Sequence, residues 1–304
     1  MTVAAPETVD LVAVPRERRT AAAALAAARP RQWIKNLVLF AGLLFASELS
    51  DGERWLEAAV AFGAYCLVAS ASYLFNDVRD VADDRLHPVK RHRPIAAGDL
   101  APRSALVLAA VLAAAGLVLT AWLGWRSLAF LAVFALLQVA YTLRLKQLAL
   151  VDIAVIAVFF VIRAAAGAAA VHVRISPWLL VCTGLLALFL GLAKRRGELV
   201  LAESGATAGR SSLGAYTLPV LDRLLWVTAA AAVTAYTVYS LVARDSREMV
   251  ITVPLVVAGI GRYLYLIHRH SLGEAPEHVL LSDRLLLATV AVWVVVAAIV
   301  LGGA

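Results

Sequence analysis

The chain has 304 residues, 62% of them apolar and only 16% charged, with a mean hydropathy of +0.83. A soluble domain averages about 45–50% apolar and about 25% charged residues, so this composition excludes a soluble enzyme and points to an all-α polytopic membrane protein. The net charge of +7 would suit nucleic acid, but its distribution assigns it to membrane topology and an anionic substrate, with no nucleic-acid partner.

Residues 1–28 read as a segment outside the main domain. Residues 1–15 are expected to lack order, and 16–28 to form an Ala-rich helix resting on lipid headgroups. The Ala run at 21–28 is too short for the apolar stretch of a signal peptide. Residues 29–304 form the transmembrane domain, opening with Arg29-Pro30-Arg31-Gln32-Trp33-Ile34-Lys35-Asn36, where Trp33 suits an interfacial anchor. Nine apolar runs follow, at 33–48, 56–75, 104–123, 127–143, 150–171, 177–193, 224–243, 249–267 and 285–302. Each approaches the roughly 17–25 residues of a spanning helix. Cys66 and Cys182 lie inside such runs and give neither a metal spacing nor a disulfide framework.

With the N-terminus inside, 22 of the 28 Lys and Arg residues fall on the cytoplasmic side, five lie outside, and Arg163 lies within a span. That asymmetry predicts a plasma-membrane protein with a cytoplasmic N-terminus. The polar stretches 29–36, 76–103, 141–152, 194–223 and 262–284 then share one face. A one-sided arrangement suits an enzyme with a cytoplasmic polar donor. It argues against a transporter, which presents its site to both sides in turn.

Asn76 to Pro94 is the richest stretch, with four carboxylates amid basic residues. A continuous helix over 73–85 would place Asn76, Asp77, Asp80, Asp83 and Asp84 within an arc of roughly 120°. Carboxylates so close repel unless cations sit between them. Hard oxygen ligands of this kind suit Mg²⁺, which commonly bridges one or two carboxylates to substrate phosphates. A solvated charge run is the plainer reading. Arg85, Lys90, Arg91 and Arg93 follow as candidate phosphate contacts.

Further clusters carry similar alternatives. Arg144 and Lys146 also serve as ordinary positive flanks, and Asp152 is an acid near the start of a lipid-embedded helix, eased by the helix dipole. Tyr141 borders the same connection. Lys194 and Glu198 are i, i+4 neighbours, giving either a plain salt bridge or, with Arg195, a basic phosphate clamp. Arg163 needs a partner, for packing or for function. Arg262, Asp283, Arg284 and His268, His270 and His278 read as loop chemistry, and Glu274-Ala275-Pro276-Glu277 as a loop.

Asn76-Asp77-Val78-Arg79-Asp80-Val81-Ala82-Asp83-Asp84 resembles the NDxxDxxxD motif of the UbiA superfamily of intramembrane prenyltransferases. RPRQWIKN at 29–36, the stretch 76–98, LKQLALVDI at 145–153 and AKRRGEL at 193–199 narrow the resemblance to the branch that transfers 5-phosphoribosyl to decaprenyl phosphate. The resemblance implies nine spans and a Mg²⁺ held by Asn76, Asp77, Asp80 and Asp84. It implies phosphoribosyl pyrophosphate as donor, a polyprenyl phosphate as acceptor and a product feeding cell-wall arabinan. It also suggests a homo-oligomer such as a trimer.

Ordinary members carry a second acidic motif after the sixth span. Here that position reads Lys194-Arg195-Arg196-Gly197-Glu198, which favours a more anionic donor and fewer metals. The alternative is a conventional transfer of an isoprenyl chain from its diphosphate to an aromatic or tetrapyrrole acceptor. In the favoured reading Lys35 contacts the lipid phosphate, and the prenyl tail lies in a groove where Gly167 and its Ala neighbours leave room.

Overall fold

Proline and capping acids mark where helices begin. The Asp51 carboxylate accepts the Glu53 amide at 2.9 Å and the Arg54 amide at 3.4 Å, opening helix α3. Pro102, Pro177 and Pro276 stand at the first position of their helices, where the missing N–H costs nothing. In chain order the computed structural model contains α1 (Arg16–Ala28), a 3-10 segment (Pro30–Phe40) running into α2 (Ala41–Phe45), α3 (Gly52–Arg79), α4 (Val81–Leu86), α5 (Pro94–Ala97), α6 (Pro102–Trp122), α7 (Trp125–Leu143), α8 (Val151–Ala170), α9 (Pro177–Glu203), α10 (Leu218–Val242), α11 (Val253–His270), α12 (Pro276–Ser282) and α13 (Arg284–Gly302). The structure describes residues 16–45, 50–203, 211–242, 247–270 and 276–302, and no strand occurs among them. The expected disorder of 1–15 and the outer Arg244 lie outside the described residues.

Eight helices among the described residues are long and apolar enough to cross a membrane: α3, α6, α7, α8, α9, α10, α11 with the turn before it, and α13. The ninth expected span, 33–48, takes another form. Eleven residues wind as a 3-10 helix and five as α-helix. At about 2.0 Å and about 1.5 Å per residue they reach about 30 Å, the thickness of the hydrocarbon core. The tighter winding lengthens a segment that would be short as an α-helix.

α8 and α3 are the inner helices, with 67% and 56% of their apolar windows buried against 17% for α13. The 3-10 segment packs against both. Glycine makes this approach possible, as small residues do at membrane helix interfaces. A Cβ on Gly167 would lie 2.0 Å from the Leu39 carbonyl oxygen, and one on Gly42 2.6 Å from the Ala168 nitrogen. Gly167 and the buried Ala164 to Ala170 therefore hold backbone against backbone. The room expected at Gly167 for a prenyl chain is taken up by this backbone contact.

Arg163, buried in α8, finds neutral partners. Its Nε donates to Asn36 Oδ1 at 2.7 Å and its Nη1 to the Phe159 carbonyl at 3.2 Å. Its guanidinium also lies 4.6 Å from the Phe134 ring centre. The bond to Asn36 pins the 3-10 segment to α8.

Candidate active site

The acidic motif is not one straight helix. α3 ends at Arg79, Asp80 takes φ −90° and ψ 10°, and α4 starts at Val81. This break replaces the single stripe expected over 73–85 with two pairs of oxygen ligands, each closed by a cation. Arg93 Nη1 donates to Asp77 Oδ1 at 3.1 Å and to Asp84 Oδ2 at 2.7 Å. Lys146 Nζ donates to Asn76 Oδ1 at 3.2 Å and to Asp80 at 2.7 and 3.0 Å. Asp77 and Asp84 are buried, 2% and 3% exposed, so those cations offset both desolvation and mutual repulsion. Asp83 faces outward.

Of the predicted basic contacts, Arg93 and Lys146 thus enter the site. Arg85 instead donates to the Ala96 carbonyl at 3.3 Å, and Arg91 lies exposed against His92. Lys90 sits in the short turn Lys90–His92 between them.

The segment after the sixth predicted span is held by ion pairs within the protein. Arg195, expected to clamp phosphate, has no exposed surface. Its Nε lies 2.7 Å from Asp152 Oδ2, and its Nη1 pairs with Glu198. Its Nη2 lies 3.5 Å from the Tyr141 hydroxyl. Asp152 is equally buried and accepts from the Tyr216 hydroxyl at 3.0 Å. Burial pushes the Tyr216 phenol up, which keeps it a donor at neutral pH. Arg195 and Asp152 thus brace α9 against α8 beneath the site. Lys194, 4.0 Å from Glu198, lines the cavity described next.

A cavity of about 1440 Å³ opens beside these groups, larger than the roughly 300–1,000 Å³ of ordinary small-molecule pockets. Its wall is mainly aliphatic and aromatic, including Phe40, Trp178 and Leu186, while Lys35, Lys194 and Tyr141 supply polar atoms. Lys35 Nζ lies 3.3 Å from Glu277 Oε2, and Gln32 donates to Glu277 Oε1 at 2.6 Å. Glu277 belongs to helix α12, not to the loop expected there, while Glu274 and Ala275 lie outside the described residues. Farther along, Arg262 forms two bonds to Asp283, at 2.7 and 3.2 Å, and holds that carboxyl below its usual range.

The family model for the UbiA prenyltransferase family matches residues 21–282. This chain belongs to that family. Decaprenyl-phosphate phosphoribosyltransferase of Mycolicibacterium smegmatis is 39% identical over 285 residues, covering 88% of this chain and 89% of the relative. The protein of the same name from Corynebacterium glutamicum is 37% identical over 279 residues, covering 88% and 83%. Among solved structures, a UbiA homologue from Archaeoglobus fulgidus bound to GPP and Mg²⁺ superposes with a TM-score of 0.72 at 16% identity, covering 93% of this chain and all of that one. That likeness shows the UbiA fold.

As a UbiA protein the chain has a donor set that fits Mg²⁺ in pairs. Among the described residues no three His, Cys, Asp or Glu side chains converge on one point, so a single centre shared by Asp77, Asp80 and Asp84 is not preformed. Each pair is instead spaced around one cationic nitrogen, and one or two carboxylates completed by substrate phosphates are a usual Mg²⁺ site.

Arg29 joins the site without having been distinguishable in the sequence from a membrane-flanking charge. It binds both Asp77 oxygens, at 2.5 and 2.8 Å, lies over the Tyr73 ring, and holds φ +53°. Its signal was its place in RPRQWIKN, where it reads as a positive-inside flank. Gln32 stands in the same motif. Tyr216 carried no local signal, because its partner Asp152 lies 64 residues away.

Proposed function

We propose that this protein transfers 5-phosphoribosyl from phosphoribosyl pyrophosphate to a polyprenyl phosphate, with decaprenyl phosphate as the reading favoured by its relatives, and releases pyrophosphate at the cytoplasmic membrane face. The observation that carries this reading is the fate of Glu198. It is the one acid between 194 and 198, and it is committed to the fully buried Arg195. A second metal-binding acidic motif therefore has no carboxylates there to use. A single acidic motif, with Lys35 and Lys194 lining the neighbouring cavity, suits a highly anionic donor and an acceptor entering as a monophosphate.

Asn76, Asp77, Asp80 and Asp84 would hold Mg²⁺, which when bound neutralises pyrophosphate oxygens and eases their departure. Arg29, Arg93 and Lys146 already stand against those carboxylates and turn to the phosphates as these arrive. Lys35 and Lys194, which line the cavity, orient the lipid phosphate, and the apolar wall takes the prenyl chain. One phosphate oxygen attacks the anomeric carbon as the bond to pyrophosphate breaks, with oxocarbenium-like charge on the ribose. The pyrophosphate leaves with the electron pair. The acceptor oxygen is already anionic near neutral pH, so no side chain need remove a proton. Catalysis is then charge neutralisation and positioning.

The conventional isoprenyl transfer is the competing chemistry, and the fate of the lipid phosphorus separates the two. With ³²P in the polyprenyl phosphate, the product should keep the label in the lipid. Isoprenyl transfer from a diphosphate would instead release phosphorus to water.

A further inference from the structure

Glu277 pairs with Lys35, one of the two lysines proposed to orient the acceptor's phosphate. α12 brings it to the cavity wall, where Gln32 donates to one oxygen at 2.6 Å and Lys35 lies 3.3 Å from the other. Lys35 also donates to the Gln32 side-chain oxygen at 2.5 Å, so the two are arranged as a unit. Lys194 lines the same cavity and draws electrostatically on the same carboxylate.

Burial raises the affinity of the Glu277 carboxyl for its proton, yet Lys35 and Gln32 outweigh that and hold it below the usual range. A seat that keeps a mostly buried carboxylate charged is an anion seat. Each carboxylate oxygen has its own partner in the seat, Gln32 on Oε1 and Lys35 on Oε2. Among the described residues that line the cavity, Glu277 is the one acid. Left in place it would repel a lipid anion entering there.

We propose that Glu277 is a built-in stand-in for the acceptor phosphate: it fills the seat made by Lys35, Gln32 and Lys194, and a polyprenyl monophosphate enters by displacing it. This rests on the acceptor assignment above. The exchange makes Glu277 a specificity-determining residue. A prenyl phosphate supplies a replacement anion for the two lysines, whereas an uncharged prenol supplies none and leaves α12 in place.

The test is a binding titration of full-length protein in detergent, without donor or Mg²⁺, using geranylgeranyl phosphate and geranylgeraniol as probes. Wild type should prefer the phosphate. Glu277→Gln should bind the phosphate about tenfold tighter, because the competent state no longer has to be freed first. Lys35→Ala should bind it more weakly, and the alcohol should bind all three alike. If wild type prefers the phosphate but Glu277→Gln binds it equally or less well, the stand-in role is overturned and the acceptor assignment stands. No preference for the phosphate in wild type overturns both. Amide exchange on wild type needs no variant: adding the phosphate should speed exchange over 276–282. Unchanged or slower exchange there contradicts the displacement.

Discussion

At the scale of single residues, the site is organised by charge pairing rather than by a lone acidic stripe. Asp80 and Asn76 share Lys146, and Asp77 and Asp84 share Arg93. Asp80→Ala should lower turnover by about 10²–10³-fold, the usual loss when one charge-stabilising group leaves an active site. Lys146→Ala should lose activity comparably, with both variants keeping wild-type thermal midpoints within a few degrees. Arg195 belongs to another class. Removing one partner from a buried ion pair leaves an uncompensated charge, so Arg195→Ala should destabilise the protein by about 3–5 kcal/mol, read as a lowered unfolding midpoint. The sequence showed Lys194 to Glu198 as local neighbours, but it could not show Asp152, 43 positions from Arg195, as the partner. Long-range pairing is a property of packing, and spacing along one helix does not contain it.

Among the elements, the 3-10 segment and α12 depart most from what spacing predicts. Apolar run length located the first without revealing its winding or its close backbone approach to α8 at Gly167. Gly167→Ala should therefore destabilise by about 1–3 kcal/mol, as overpacking does. Gly63→Ala in α3, where an added Cβ meets nothing within 4 Å, should be neutral or stabilising by up to about 1 kcal/mol. Thermal unfolding of the two variants side by side checks this. α12 carries the pH-dependent contact. The folded protein holds the Glu277 carboxyl below its usual range, so its pairing adds stability above the unfolded value near about 4.3. That contribution disappears as pH falls through the folded value. The midpoint of wild type should exceed that of Glu277→Gln at pH 7, with the gap closing below about pH 4. A gap that is constant across this range would contradict the pairing.

For the whole molecule, hydropathy and composition carried most of the fold. Eight of the nine apolar runs are spanning-length helices among the described residues, and the acidic motif stands at the end of α3 as its position implied. What composition lacked was which charges meet. Arg29, Asp77 and Arg93 come from three separate stretches of the chain, and Lys35 meets Glu277, 242 positions away. The same packing sets these paired charges beside an apolar cavity, the juxtaposition that the proposed polar donor and lipid acceptor require. The measurement that tests this most directly offers purified protein labelled phosphoribosyl pyrophosphate, decaprenyl phosphate and Mg²⁺, and counts label in the lipid phase. The account predicts lipid-bound label that is lost with EDTA and in Asp80→Ala. No lipid label, with consumption of an isoprenyl diphosphate in the presence of an aromatic acid, would contradict it.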